Sequence, residues 1–266
     1  QTDVVSNLCL DGRVKLVNQL HQGVGEARNK GLNEATGEYV CFLDADDYFE
    51  KRLISQLVKS AERNKSDLVS CAFYFYDHQQ KKDTQIRYFP QKLPYVLDKE
   101  KYKKRLFQIL TPNVWDKLFR LSFLKKNNLR FESLSTCNDF SFTYTAVAQA
   151  KVISLVKQPL VHYRIKQLDN ISSRRGNYAS NILVAVQTLH DNLLMSGLLK
   201  CYSYTFNLRS AQSVIHELRN CSYSQKIKFF SVFPKKLFKV LVFIPVVFIS
   251  HIYNNITTFF KLSRYL

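Results

Sequence analysis

Glycine and proline are scarce in this chain, with seven Gly and six Pro in 266 residues. Collagen-like and low-complexity architectures are thereby excluded, and little is left for long loops. The six cysteines, Cys9, Cys41, Cys71, Cys137, Cys201 and Cys221, never fall at C-x-x-C spacing. Neither a zinc site nor a disulfide scaffold is indicated, and a reducing cytoplasm is the simpler setting. No secretory signal is visible at the start, so the glycosylation sequons at Asn170 and Asn255 are read as chance. The longest apolar run, Val240 to Ile249, is broken by Pro245. It is far shorter than the ~20 residues a membrane-spanning helix needs. Acidic residues stop at Glu217, and eight Lys or Arg follow it: Arg219, Lys226, Lys228, Lys235, Lys236, Lys239, Lys261 and Arg264.

What is present is a globular composition, 46% hydrophobic and 14% aromatic, sized for one large domain with an appendage. The net charge of +18 is unevenly placed, with eight positive charges in the acid-free tail, which implies an anionic partner surface. In that tail Phe229, Phe230, Val232, Phe233, Leu237 and Phe238 interleave with lysines. So much Phe, Val and Leu between basic flanks fits a segment lying in a membrane interface, and no nucleic-acid partner is expected. The structural alternative is a helix packed on the main domain.

One stretch carries most of the chemistry. Tyr39-Val40-Cys41-Phe42-Leu43 is strand-forming and runs into Asp44-Ala45-Asp46-Asp47. In open α/β sheets, ligands bind at the carboxyl ends of strands. Like charges packed together are unfavourable unless a cation offsets them. Hard oxygen donors suit Mg²⁺ or Mn²⁺ and, through them, nucleotide phosphates. The same residues also fit an acidic strand-to-helix turn in which one aspartate caps the next helix. On spacing alone both readings stand.

Around it, Val14–Asn18 suggests a short strand, and Gly23 and Gly25 open a predicted helix through Gly31. The glycines make no G-x-G-x-x-G pattern, though a bare helix N-terminus attracts phosphate. Leu53, Ile54, Leu57, Val58 and Ala61 share one helical face, and 68–73 is a further buried strand. Strands alternating with helices predict a mostly parallel α/β sheet flanked by helices. Residues 77–98 fit a loop or strand pair. A basic helix over 99–110, strands over 151–156 and 160–164, and helices over 178–195 and 202–218 complete the expectation.

Several blocks together resemble the family 2 glycosyltransferases of the GT-A (Rossmann-like) fold. They are Gln22-Gly23-Val24, Ala27-Arg28-Asn29-x-Gly31, Ala35-Thr36-Gly37-Glu38-Tyr39-Val40, Phe42 to Tyr48, Trp115-Asp116-Lys117-Leu118-Phe119-Arg120, Asn138-Asp139 and Tyr163-Arg164. Each block is modest, but in this order they are specific, and bacterial surface-polysaccharide enzymes are the nearest look-alikes. The resemblance implies an inverting transfer from a nucleotide-sugar donor, a UDP-sugar first, to a hydroxyl of a glycan or lipid-linked acceptor. It implies Asp44 and Arg28 on the nucleotide side and Asp46 and Asp47 on a divalent metal, Mn²⁺ or Mg²⁺. It further implies Asp139 as general base and Trp115 as acceptor-side wall. Arg164, with Arg174 or Arg175, would meet the diphosphate. Asn138 departs from the acid that usually precedes the base.

The family opens with a strand-helix-strand unit that residues 1–13 do not supply, so the resemblance implies a GT-A domain truncated at its N-terminus. The implied organisation is a transferase domain over 1–175, a helical region packed on it over 176–225 and a membrane-associating tail over 226–266. The protein would then sit in the cytoplasm, peripheral at the inner face of the cell membrane. A catalytically inactive partner subunit is the alternative function, and a magnesium-dependent phosphotransferase a lesser one. The latter class wants Thr or Val where Tyr48 stands.

Overall fold

The structure, a computed structural model, describes residues 12–165, 180–219, 221–232 and 237–243. Arg174, Arg175 and most of the apolar tail lie outside the described residues.

Helix α1 (Val24–Glu34) leads to the short strand β1 (Tyr39–Cys41), which ends before Phe42. A tight turn then gives β2 (Tyr48–Phe49), helix α2 (Leu53–Asn64) and the long strand β3 (Leu68–Asp77). Hairpin strand β4 (Lys82–Arg87) returns along β3. Two short helices, α3 (Lys99–Tyr102) and α4 (Leu106–Ile109), stand where one basic helix was expected. Strand β5 (Lys117–Arg120), α5 (Leu121–Lys126), α6 (Asn138–Gln149) and β6 (Ile153–Ile165) follow. Beyond β6 come α7 (Asn181–Met195), α8 (Leu199–Arg219), α9 (Tyr223–Ser231) and α10 (Phe238–Val242). Val14–Asn18 is not a strand.

The sheet order is β1-β5-β3-β6-β2, with β4 beside β3. It is a mixed sheet, which corrects the mostly parallel expectation: β3 and β6 pair parallel, and the other pairings are antiparallel. The reason is the insertion of β5 between β1 and β3. Both neighbours run antiparallel to β5 and therefore point the same way as each other and as β6. The strand-helix-strand rule thus holds for β1, β3 and β6, but the reversed β5 and the β4 hairpin arrive through connections that carry no such periodic signal.

Two apolar layers hold the sheet. On one face Leu53, Leu57 and Ala61 of α2 cover Val69, Cys71 and Phe73, as their helical spacing requires. On the other, α6, α7 and α8 form the larger core, in which Phe107 stacks on Tyr144 and Tyr202. Lys117 is fully buried and paired to Asp116 at 2.6 Å. Its ammonium also donates to Asn113 O at 2.7 Å, while Asp116 accepts from Thr111 and Ser70. A buried charge pair is tolerated when its remaining hydrogen-bonding positions are filled in this way. Among the described residues no helix is long and apolar enough to cross a membrane.

Helix α1 is docked by its own motif residues. The Asn29 amide donates to Phe131 O and accepts from Phe131 N, each at 2.9 Å. Gly25 lies against the neighbouring backbone, where a Cβ would overlap the Glu132 carbonyl oxygen, whereas a Cβ at Gly31 would meet nothing within 4 Å. Alanine in a helix normally gains up to ~1 kcal/mol over glycine. Gly31→Ala is therefore expected to raise the thermal midpoint slightly. Gly25→Ala, forced against backbone that cannot rotate away, should lose about 1–3 kcal/mol by overpacking. Thermal melts of the two variants give opposite signs if α1 docks this way.

Candidate active site

The carboxyl end of β1, the N-terminal half of α1, the 113–115 segment and the N-terminus of α6 enclose one cavity of about 720 Å³. Arg28, Asp44, Asp46, Trp115 and Asp139 all line it. Residues separated by more than a hundred positions in the chain thus meet where open α/β sheets bind ligands.

Arg28 is the hub. Its Nη2 donates to Asp44 Oδ1 at 2.6 Å, its Nη1 donates to Asn138 Oδ1 at 2.9 Å, and its guanidinium lies 5.5 Å from the Phe131 ring centre. The asparagine that departs from the resembled pattern is therefore structural. It ties α1 to the first turn of α6 and donates back to Leu134 O at 3.2 Å. An acid at 138 would place a second negative charge beside Asp139; the amide accepts from Arg28 without adding one. Asp139 follows on the same first turn and reaches the cavity. That turn opens from Cys137, held in the left-handed region at φ 60°.

The three aspartates do not behave alike. Asp44 and Asp46 line the cavity, Asp44 committed to Arg28 and Asp46 exposed at the rim. Asp47 is only 8% exposed and is absent from the cavity lining. Its Oδ1 accepts the Arg164 amide at 2.8 Å, and its amide donates to Asp44 O at 3.2 Å. Burial pushes the Asp47 carboxyl up to about 7, helped by Asp46 and Asp44 and opposed by the Arg164 amide. Asp47 thus closes the turn onto β6. Arg164 likewise stands outside the cavity, with its guanidinium 4.4 Å from the Tyr48 ring centre.

Trp115 is largely core: it stacks on Tyr163 at 5.1 Å and meets Phe73 edge-on at 4.7 Å, leaving 4% of its surface exposed. That remainder and Tyr163 form an aromatic wall of the cavity. The buried Asp116–Lys117 pair beneath fixes this segment. Asn113, Ser135, Thr136, Cys137 and Tyr163 also line the cavity and were not singled out from sequence. Tyr163 stood inside a block already quoted, and only its contacts reveal a role. Cys41 lines the cavity too, but burial pushes its thiol up to about 12, which removes it as a nucleophile.

No group of three His, Cys, Asp or Glu side chains able to hold an ion exists among the described residues. Asp44 and Asp46 nonetheless fit a hard divalent cation of the magnesium type. Such an ion commonly takes one or two protein carboxylates and completes its shell with substrate phosphate and water.

An α/β sheet with a carboxylate-lined cleft at the end of β1 and a flanking helical layer is the arrangement of the GT-A fold. The fold agrees with the Staphylococcus aureus TarS 1–349 structure in complex with UDP-GlcNAc, at a TM-score of 0.60 and 19% identity over 89% of this chain and 71% of that one. Residues 2–130 match the family model described as "Glycosyl transferase family 2". Among its relatives, EpsH of Bacillus subtilis is 36% identical over 162 residues, which are 59% of this chain and 46% of EpsH. The cholesterol galactosyltransferase of Borreliella burgdorferi is 32% identical over 156 residues, 54% of this chain and 42% of that protein. The chain spans less than half the length of these relatives.

Proposed function

We propose that this domain is an inverting glycosyltransferase of bacterial surface-polysaccharide synthesis. It moves a sugar from a UDP-sugar to a hydroxyl of a glycan or lipid-linked acceptor. The observation that carries this reading is the convergence of Arg28, Asp44, Asp46, Asp139 and Trp115 on one cavity. Support for the donor class comes from TarS, crystallised with UDP-GlcNAc, and named as a poly(ribitol-phosphate) β-N-acetylglucosaminyltransferase.

Each side chain then has a task. Asp44 and Asp46 would hold a divalent cation, Mn²⁺ or Mg²⁺, which when bound would offset the charge of the departing diphosphate. Arg28 keeps the Asp44 carboxylate aimed at the cavity through its 2.6 Å pair. Asp139 accepts the proton of the attacking hydroxyl, and Trp115 and Tyr163 give the acceptor sugar an apolar face to rest on. Attack opposite the leaving diphosphate inverts the anomeric carbon in one displacement. Asp47 positions the turn, and Arg164 stands next to it at the end of β6.

The test is UDP release by the purified chain from UDP-GlcNAc, UDP-glucose and UDP-galactose, with and without Mn²⁺ and a bacterial lipid extract. Release that needs both Mn²⁺ and acceptor is the expected result. Absence of release from every donor, despite a bound donor, would favour the inactive-partner reading.

The acid-free tail supports a place at the cytoplasmic membrane surface. Phe229, Leu237 and Val240 of this stretch are buried in the main core, so deleting residues 244–266 is the variant that should move the protein from the membrane pellet to the supernatant in a liposome sedimentation assay using anionic lipid. Undiminished pelleting of the shortened chain would refute that placement.

A further inference from the structure

Two arginines outside the carboxylate cavity face a single turn of backbone. Arg87, at the end of β4, donates from Nη2 to Gln108 O at 3.1 Å and from Nη1 to Tyr88 O at 3.5 Å. Arg209, on α8, donates from Nε to Phe107 O at 2.6 Å. Both guanidiniums therefore rest on successive carbonyls of α4. Neither makes a hydrogen bond or ion pair to a carboxylate among the described residues. Asp116 acts on Arg87 from a distance, but its oxygens are already taken by Lys117, Thr111 and Ser70.

The platform under the pair is built. Phe107 N donates to Thr205 Oγ1 at 3.0 Å, Thr205 Oγ1 donates to Gln108 Oε1 at 2.8 Å, and Gln108 Nε2 donates to Thr205 O at 3.3 Å. Thr205 is fully buried and stands one helical turn before Arg209, on the same face of α8. Two half-buried positive charges held side by side are unfavourable. Burial lowers the Arg87 pKa, and the charge of Arg209 lowers it further. Among the described residues, each guanidinium keeps N–H donors without a protein acceptor, in the planar fork that suits phosphate and carboxylate.

We propose that Arg87 and Arg209 form an oxyanion subsite that holds a phosphate or carboxylate group of the acceptor. Gln108 is five residues from the cavity-lining Asn113, which puts its backbone within about 18 Å of that wall of the cavity. An acceptor of a few sugar units bridges that span. The word acceptor rests on the transferase reading above; the anion subsite rests on the arginine geometry.

The test is NMR of the ¹⁵N-labelled full chain, following arginine Nε–Hε signals without divalent cation. Glycerol 1-phosphate and glucuronate are titrated separately, so the phosphate and carboxylate sources are told apart. Saturable shifts of the two signals with either probe, with weaker binding read at the remaining arginine in R87Q and in R209Q, are the expected result. R209Q should weaken the responding probe about tenfold or more, the scale of a lost charge-assisted hydrogen bond. R209K, which keeps the charge and loses the fork, serves in place of R209Q should the latter not fold, and should also bind more weakly than wild type. Asp46→Asn, which disables the proposed transfer site, should titrate as wild type, so failure of the transferase reading and failure of the subsite give different results. No saturable shift with either probe up to about 50 mM, well beyond a millimolar site, would overturn the proposal. So would an unchanged titration in both arginine variants.

Discussion

Asp139→Asn should lower kcat of sugar transfer by about 10² to 10⁴-fold, the usual contribution of a positioned general base. The substitution keeps shape and removes the proton acceptor. Asp139 lies on the first turn of α6, where the Arg28–Asn138 contact at 2.9 Å fixes its neighbour. The helix therefore has no cause to move in the variant. KM for the donor should change little, because the residue does not hold the diphosphate in this reading. A pH profile adds a second readout: whatever acid limb Asp139 gives to the wild-type kcat should be absent from the variant. An unchanged kcat would move the base elsewhere among the cavity-lining residues.

The second large effect belongs to Asp46. Asp46→Asn should reduce kcat/KM by about 10³-fold, the scale of the several kcal/mol that a divalent ion contributes to developing charge. It should also raise the Mn²⁺ concentration needed for half-maximal activity. Asp46 is exposed at the rim, so its loss leaves the core untouched and the melting temperature should be unchanged. Asp47→Asn makes the useful contrast. Its carboxylate is buried against β6 and outside the cavity lining. Its loss should therefore act on the stability of the turn more than on metal dependence. If Asp47→Asn abolished Mn²⁺ dependence while Asp46→Asn did not, the roles of the two would be exchanged.

Much of the candidate site is legible in the sequence. The blocks around Arg28, Asp44, Trp115 and Asp139 are local signals, and in the fold they meet at one cavity. What a linear reading misses is the direction in which a side chain points. Asp46 and Asp47 are adjacent and chemically identical, yet one faces solvent and the other β6, because the turn hydrogen-bonds Asp47 N to Asp44 O. The role of Asn138 was hidden for the same reason, since its partner Arg28 is 110 positions away.

The chain alone suffices for the α/β class, the strand ending in acids, the amphipathic α2 and the basic, acid-free tail. These follow from periodicity and charge, which act between near neighbours. The tertiary structure alone decided that β5 inserts reversed between β1 and β3 and so makes the sheet mixed. It also decided that Gly25 must be glycine where Gly31 need not be, and that Arg87 and Arg209 share one turn of backbone. Each of these depends on which distant segments come within a few ångströms, and such contacts leave no pattern in a single sequence.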